Sequence, residues 1–268
     1  MPKTLTVTAA KGGTAKTVVA ANIAAAAGKD GQRVLVVDTD PQGDITFDFG
    51  SPGGEENLAT LLNATYLNEP APLDAIYPTG VENVSLIPSG GTQLAQLLLE
   101  LAALGSEGED LLAKALAQVC GEFDLVVIDT PPDLGPLTHG AVIASDLVLV
   151  PVSAQDTRAL TAVQTTQALL ETLRAEGRWD GRWAGVLVRV DPRRFRPRRA
   201  SVRITEYLTG DDPLVDLPML GKISEDANIH QSPDEGEPIV TAHITSRSSP
   251  EFIALTSAVL NELQEVAA

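Results

Sequence analysis

Two short apolar runs, each ending in an aspartate, constrain the fold of this chain most. Residues 33–38 read Arg-Val-Leu-Val-Val-Asp, and residues 125–129 read Leu-Val-Val-Ile-Asp. Strands without apolar and polar alternation are buried on both faces, which is typical of parallel sheets. Parallel sheets bind their ligands beyond the carboxyl ends of their strands. We therefore expect Asp38 and Asp129 at the functional edge of a parallel sheet.

The rest of the chain alternates between predicted strands and predicted helices. Further strands are predicted over residues 4–8, 84–87, 147–152, 184–190 and 219–223. Helices are predicted over residues 17–27, 92–104, 110–119, 158–176, 200–208 and 250–266. This alternation predicts an α/β fold with a doubly wound, mainly parallel sheet flanked by helices on both faces. Because no repeat or linker interrupts it, we expect one domain over residues 1–268.

Composition narrows the classes of partner. The chain has 36 acidic and 19 basic residues and a formal charge of −17, which argues against a uniformly basic nucleic-acid coat. Any anion site must therefore be local. Cys120 is the single cysteine, which excludes an intrachain disulfide and favours a reducing cytoplasm. The longest apolar run, residues 141–152, is too short to span a bilayer and contains Asp146, so the sequence predicts a soluble protein.

A glycine-bearing segment has the position and composition of a phosphate-binding loop. Residues 10–17 read Ala-Lys-Gly-Gly-Thr-Ala-Lys-Thr, after the first predicted strand and at the start of the first helix. Phosphates need small residues for close backbone approach, a lysine for the outer phosphates and a hydroxyl for magnesium. Gly12, Gly13, Lys16 and Thr17 supply these groups, although Ala10 and Ala15 break the strict G-x-x-x-x-G-K-[ST] pattern.

With Lys11 at its start, this loop resembles the deviant Walker A motif, Lys-Gly-Gly-x-Gly-Lys-Thr, of the ParA and MinD ATPases. Residues 38–44 resemble the D-x-D-P-Q-G-N element of the same family. Residues 123–132 resemble its Walker B motif with the following Pro-Pro, and residues 185–193 resemble its late strand and loop. The resemblance spans most of the chain, but Ala15 stands where the family has glycine.

Magnesium-nucleotide chemistry assigns roles to these residues. Lys16 is predicted to bridge the outer phosphates, Thr17 to ligate magnesium, and Asp129 to hold the hydration shell of the ion. By resemblance, Asp40 orients the attacking water at the metal site, and Lys11 reaches the nucleotide of a partner subunit. Lys11, Lys16 and Asp40 are thus the predicted catalytic residues.

The predicted nucleotide contacts are Lys11, Gly12, Gly13, Thr14, Ala15, Lys16, Thr17, Val18, Asp191 and Pro192. Two interpretations of Asp38 stay open. It supports the metal or the neighbouring loop, or it is only the last residue of its strand.

The resemblance implies a fold of the P-loop NTPase type and a slow ATPase with ATP/ADP and Mg²⁺ as cofactors. It implies an ATP-dependent homodimer that binds nonspecific DNA, partitions a chromosome or plasmid with a ParB-like partner, and associates with the nucleoid in the cytoplasm. Two alternatives remain: a protein-cargo positioning ATPase of the same superfamily, and a non-hydrolysing nucleotide sensor. The sensor is favoured by Ala15, because a Cβ restricts the backbone angles and approach that the loop needs. Ala15 therefore predicts weakened nucleotide binding and slow turnover.

A basic segment lies in the second half of the acidic chain. Residues 174–203 contain ten arginines against three acidic residues, a local balance of +7. Arginine suits phosphate oxygens, so the segment predicts sequence-independent DNA binding. The DNA-binding residues are predicted to be Arg193, Arg194, Arg196, Arg198, Arg199 and Arg203. The alternative is that these arginines pair with the surplus carboxylates or cover a dimer seam. Where the ParA family has an Ile-Pro-Arg stretch that contacts DNA, this chain has Ile223-Ser224-Glu225. That contact is therefore expected to be relocated or lost.

Two related classes fit the sequence less well. A MinD-like membrane positioner needs a basic amphipathic C-terminal helix, whereas residues 250–268 contain three glutamates and no lysine or arginine. A metabolic relative, such as an amidating synthase or an iron–sulfur reductase component, needs further catalytic residues or cluster cysteines. One cysteine argues against a self-contained reductase.

Overall fold

The computed structural model describes residues 2–51, 53–156, 158–191, 204, 208, 215–230 and 235–265. Its strands are β1 (Lys3–Val7), β2 (Val34–Asp38), β3 (Tyr77–Pro78), β4 (Val84–Ile87), β5 (Leu125–Asp129), β6 (Leu147–Ser153), β7 (Arg182–Val190) and β8 (Met219–Ser224). Its α-helices are α1 (Lys16–Lys29), α2 (Asp44–Asp48), α3 (Leu58–Tyr66), α4 (Thr92–Ala103), α5 (Ser106–Val119), α6 (Pro136–Ile143), α7 (Ala159–Ala175), α8 (Ile239–Ala242) and α9 (Ser248–Glu265).

The strands form one sheet in the order β3-β4-β2-β5-β1-β6-β7-β8. Every neighbouring pair is parallel except β3 and β4, which are antiparallel. Strand β1 lies between β5 and β6, and Asp38 of β2 pairs in register with Asp129 of β5. The predicted α/β class and mainly parallel sheet are confirmed.

Helices cover both faces of the sheet, which explains why its central strands are apolar throughout. Alternate residues of β2 enter different cores: Val36 packs in the cluster that contains Ile23 of α1, and Leu35 packs in the cluster that contains Leu112 of α5. All five residues of β2 are buried, as are all five of β5. Two-sided burial therefore fixes these strands in the centre of the sheet, and their terminal aspartates at one edge.

Most predicted elements are present within two residues of their expected bounds, but α5 begins earlier. It begins at Ser106 rather than at residue 110, because Gly105 adopts a φ of 58° and separates it from α4. Glu107 and Glu109 then occupy its first turn, where the helix dipole favours acidic side chains.

The helices α2, α3, α6 and α8 and the short strand β3 were not predicted. Of the helix predicted over residues 200–208, only residues 204 and 208 lie within the described chain. No helix in the described ranges is both long and apolar enough to cross a membrane.

Candidate functional site

A cavity of about 550 Å³ opens at the carboxyl edge of the sheet. Its wall combines the loop after β1, the loop after β2, and residues at the ends of β7 and β8. The residues that line it include Gly12, Gly13, Thr14, Ala15, Lys16, Thr17, Val18, Asp40, Gln42, Asp44, Val188, Arg189, Ile223, Ser224, Glu225, Asp226, Ile229 and Phe252. The structure thus brings the predicted phosphate loop and Asp40 together around one space.

The phosphate loop closes on its own backbone. The carbonyl oxygen of Lys11 accepts hydrogen bonds from Thr14 Oγ1 at 3.3 Å and from Lys16 Nζ at 3.5 Å. The Lys16 side chain is buried, although a lysine rarely is, and the loop feeds directly into α1. The closed loop therefore holds a cation at the N-terminus of a helix, the end that favours anions.

Ala15 adopts a left-handed backbone. Its φ and ψ are 63° and 29°, in the region that glycine occupies without a steric penalty. The alanine thus takes the conformation that the family's glycine would provide, at a cost of order 1–3 kcal/mol. The folded chain carries this strain.

Asp129 is a buried carboxylate without a hydrogen-bond partner of normal geometry in the described residues. Burial raises its pKa well above the usual range and Asp38 adds to the rise, while the facing Thr17 hydroxyl and Lys16 oppose it. Burial in turn lowers the pKa of Lys16, against the attraction of Asp129 and Asp40. A buried, unsatisfied carboxylate beside a hydroxyl offers the hard oxygen ligands that Mg²⁺ prefers. The residues present therefore fit a magnesium ion.

Asp38 ties together the two ends of the following loop. Its Oδ2 accepts a hydrogen bond from Thr46 Oγ1 at 2.5 Å, and its Oδ1 accepts one from the backbone N of Asp40 at 3.1 Å. Asp38 is fully buried, and this burial raises its pKa to about 7. Of the sequence alternatives for Asp38, its contacts favour support of the loop that carries Asp40.

Lys11 contacts its own chain. Its ammonium group pairs with Asp156, which also lies 3.6 Å from the guanidinium of Arg158. Lys11 is absent from the described lining of the cavity. Its contact with the nucleotide of a second subunit stays a prediction.

The far end of the cavity differs from the sequence prediction. Val188 and Arg189 line it, but Asp191 does not, and Pro192 lies outside the described residues. Further contacts that the sequence missed include four at the end of β8 and one on α9: Ile223, Ser224, Glu225, Asp226 and Phe252. The carboxyl end of the predicted strand 219–223 was an available signal for the first four.

The ten arginines of the basic segment fall into three groups, of which Arg189 in the cavity lining is one. Arg178 pairs with Glu109 and Asp110, Arg182 pairs with Glu262 and Glu265, and Arg174 lies 4.6 Å from the centre of the Trp179 ring. Intramolecular contacts therefore account for these three arginines. The six predicted DNA-binding arginines, residues 193, 194, 196, 198, 199 and 203, lie outside the described residues.

Comparison with known proteins agrees with this geometry. A family model described as an AAA domain matches residues 2–178. The chain is 30% identical to the sporulation initiation inhibitor protein Soj of Bacillus subtilis over 263 residues. The aligned region covers 97% of this chain and 98% of that protein. It is 27% identical to the chromosome partitioning protein ParA of Myxococcus xanthus over 246 residues, and this aligned region covers 91% of this chain and 83% of that protein. The ATP complex of McdA from Cyanothece has the same fold, with a TM-score of 0.83 at 23% identity over 98% of this chain and 96% of that one.

Proposed function

The chain belongs to the ParA/MinD superfamily of P-loop ATPases, and on that premise we propose that it is an ATP-dependent dimerising switch that positions chromosome or plasmid DNA. In this proposal residues 1–268 act as one ATPase domain in the cytoplasm, associated with the nucleoid and with a ParB-like partner. The observation that carries the proposal is the buried Lys16 in a closed loop, next to the unsatisfied carboxylate of Asp129.

The residues divide the work of binding and hydrolysis. Lys16 neutralises the outer phosphates, while Thr17 and Asp129 hold the magnesium ion. When bound, the ion neutralises charge on the phosphate oxygens as the terminal phosphoryl group leaves. Asp40 orients the attacking water, and Asp38 keeps Asp40 in place through the hydrogen bond that it accepts from the Asp40 backbone.

Lys16→Gln should abolish binding of magnesium-ATP, because it removes the buried cation that faces the phosphates. Calorimetric titration measures the affinity directly. Lys29→Gln is the matched control, since Lys29 ends the same helix and donates a hydrogen bond to the carbonyl of Val240 away from the loop. Equal ATP affinity in wild type and Lys16→Gln would refute the proposed site.

The DNA part of the proposal rests on the basic segment. The segment has six arginines beyond Asp191, although the whole chain has a net charge of −17. The guanidinium group of arginine can bind phosphate oxygens in a bidentate manner. Of the two relatives, Soj is named as a sporulation initiation inhibitor and ParA as a chromosome partitioning protein. The second name supports chromosomal DNA as the cargo of this chain, and the resemblance to the ParA family implies a ParB-like partner that stimulates hydrolysis.

A non-hydrolysing nucleotide sensor is the second candidate, and the left-handed backbone of Ala15 favours it. A methyl group in this position limits how closely the loop approaches a phosphate. ATP turnover measured with and without DNA separates the two candidates. Stimulated turnover supports the switch, and ATP binding without turnover under either condition supports the sensor.

A further inference from the structure

Arg189 has an unusual backbone at the end of β7. Its φ is 58°, a left-handed value that arginine rarely adopts outside strained sites. The register between β7 and β8 is irregular between Leu187 and Val190, and Gln155 Nε2 donates a hydrogen bond of 3.0 Å to the carbonyl oxygen of Arg189. Such strain persists where the surrounding structure enforces it, and it clusters at ligand sites.

The charges around the cavity leave Arg189 available for a ligand. Within the described residues, the acidic side chains that line the cavity are Asp40, Asp44, Glu225 and Asp226, and the basic ones are Lys16 and Arg189. The Arg189 side chain is exposed, and no ion pair within the described chain involves it. The carboxylate of Glu225 instead accepts a hydrogen bond from Gln155 Nε2 at 3.0 Å. The Arg189 guanidinium can therefore contact an uncharged part of a bound ligand without first breaking an ion pair within the described chain.

The sheet order separates Arg189 from the phosphate loop. Strand β7 lies two places from β1, and adjacent strands are spaced about 4.8 Å apart, so their ends are roughly 10 Å apart across the sheet. If the phosphates occupy the loop, Arg189 therefore lies towards the base. Val188, Ile223 and Phe252 also line the cavity and supply apolar surface for a flat ring.

We propose that Arg189 is a nucleotide-contacting residue whose guanidinium stacks on the base of the nucleotide. A planar guanidinium stacks well on aromatic rings, as Arg174 already does over Trp179 in this chain. The proposal rests on the proposed function, because it places ATP in the cavity. It adds a contact at the base, distinct from the phosphate-binding role of Lys16.

Two ligands and three variants test the contact by calorimetry. The ligands are magnesium-ATP and magnesium tripolyphosphate, which lacks a base and is measured by its competition with ATP. Arg189→Asn removes the guanidinium but tolerates the left-handed backbone, and Arg189→Lys keeps the charge without the planar group. Arg182→Gln is the control, because Arg182 lies at the opposite end of β7 and pairs with Glu262 and Glu265.

Arg189→Asn is expected to weaken ATP binding roughly two- to thirtyfold and to leave tripolyphosphate affinity unchanged. Arg189→Lys should recover less than half of the loss, and Arg182→Gln should bind both ligands like wild type. Unchanged ATP binding, an equal loss for both ligands, or full recovery by lysine would overturn the stacking contact while ATP binding by wild type stands. A wild-type protein that binds no ATP would overturn the proposed function itself.

Discussion

At the scale of the residue, Ala15 carries strain that belongs to the folded chain. Because the fold itself places Ala15 in the left-handed region, the cost falls first on stability. Ala15→Gly should therefore raise the free energy of unfolding by about 1 kcal/mol, after the greater freedom of glycine in the unfolded chain is subtracted. Denaturant titration measures this change.

The same substitution should also improve function, since removing the methyl group lets the loop approach a phosphate more closely. ATP affinity or turnover should rise, measured by calorimetry and phosphate release. Asn68→Gly is the control, because Asn68 also has a positive φ, of 56°, but does not line the cavity. No gain in stability, affinity or turnover for Ala15→Gly would mean that the loop tolerates alanine without strain.

The phosphate end of the site could be predicted from sequence because its residues are consecutive. Residues 10–17 need only local spacing and a position between a strand and a helix. The far end could be predicted only in part: the carboxyl end of the predicted strand 219–223 points to Glu225, but Phe252 joins Arg189 and Glu225 only when α9 packs beside β7 and β8. The contacts of Asp38 with Asp40 and Thr46 also depend on a turn that no spacing rule specifies.

At the scale of the element, α2 buries a carboxylate with no role in the proposed chemistry. Asp48 is 8% exposed, and burial raises its pKa to about 7, with Asp44 adding to the rise. The unfolded value is about 3.9, so the folded state binds the proton more tightly between about pH 4 and 7. The chain therefore loses stability as pH rises through that window.

Asp48→Asn should remove this loss, because the amide stays neutral at every pH. The variant should be more stable than wild type at pH 8, by up to about 4 kcal/mol. Below pH 4 the difference should vanish. Urea unfolding at several pH values gives both curves, with the exposed Glu82→Gln as control. Parallel curves for wild type and Asp48→Asn would contradict the raised pKa.

The strands could be predicted more completely than the helices, for a physical reason. Short unbroken apolar runs rich in β-branched residues, such as residues 34–37, are typical of strands buried on both faces of a sheet. Helix α6 was missed because Gly140 interrupts its pattern, and that glycine has a tertiary cause. A Cβ built there would lie 2.6 Å from the carbonyl oxygen of Glu109 on α5. Close packing of two helices requires glycine at a position where local propensity disfavours it.

At the scale of the whole molecule, we expect ATP to drive a two-fold dimer. Lys11 now pairs with Asp156 of its own chain, so closing over a partner's nucleotide requires it to exchange that contact for phosphate oxygens. Light scattering should show dimers with a slowly hydrolysed ATP analogue and mostly monomers with ADP. Lys11→Ala should stay monomeric with both nucleotides.

Lys3→Ala serves as control for that prediction, because Lys3 pairs with Asp146 at the opposite end of β1. It should dimerise like wild type. The same mass with ADP and the ATP analogue, or a normal dimer of Lys11→Ala, would contradict the switch.

DNA retention should depend on the basic segment and on dimerisation, because two segments then act on one duplex. Replacing Arg193, Arg194, Arg196, Arg198 and Arg199 together should abolish retention on nonspecific DNA while ATP binding persists. Wild-type retention should fall steeply with salt. Replacing Arg178 and Arg182, which form ion pairs within the chain, is the control for the loss of positive charge as such. Undiminished retention by the fivefold variant would assign DNA binding to another surface.

The central position of β1 also determines when the site can form during synthesis. Val7 pairs with Asp129 on one side and with Leu149 on the other, so both neighbours follow it by more than 120 residues. At roughly 5–20 residues per second, the ribosome makes the first of them roughly 6–24 s after β1. Throughout that interval the apolar edges of β1 and β2 have no strand between them. The nascent chain is therefore exposed to aggregation until its second half emerges, and chaperone capture in that window should govern its yield.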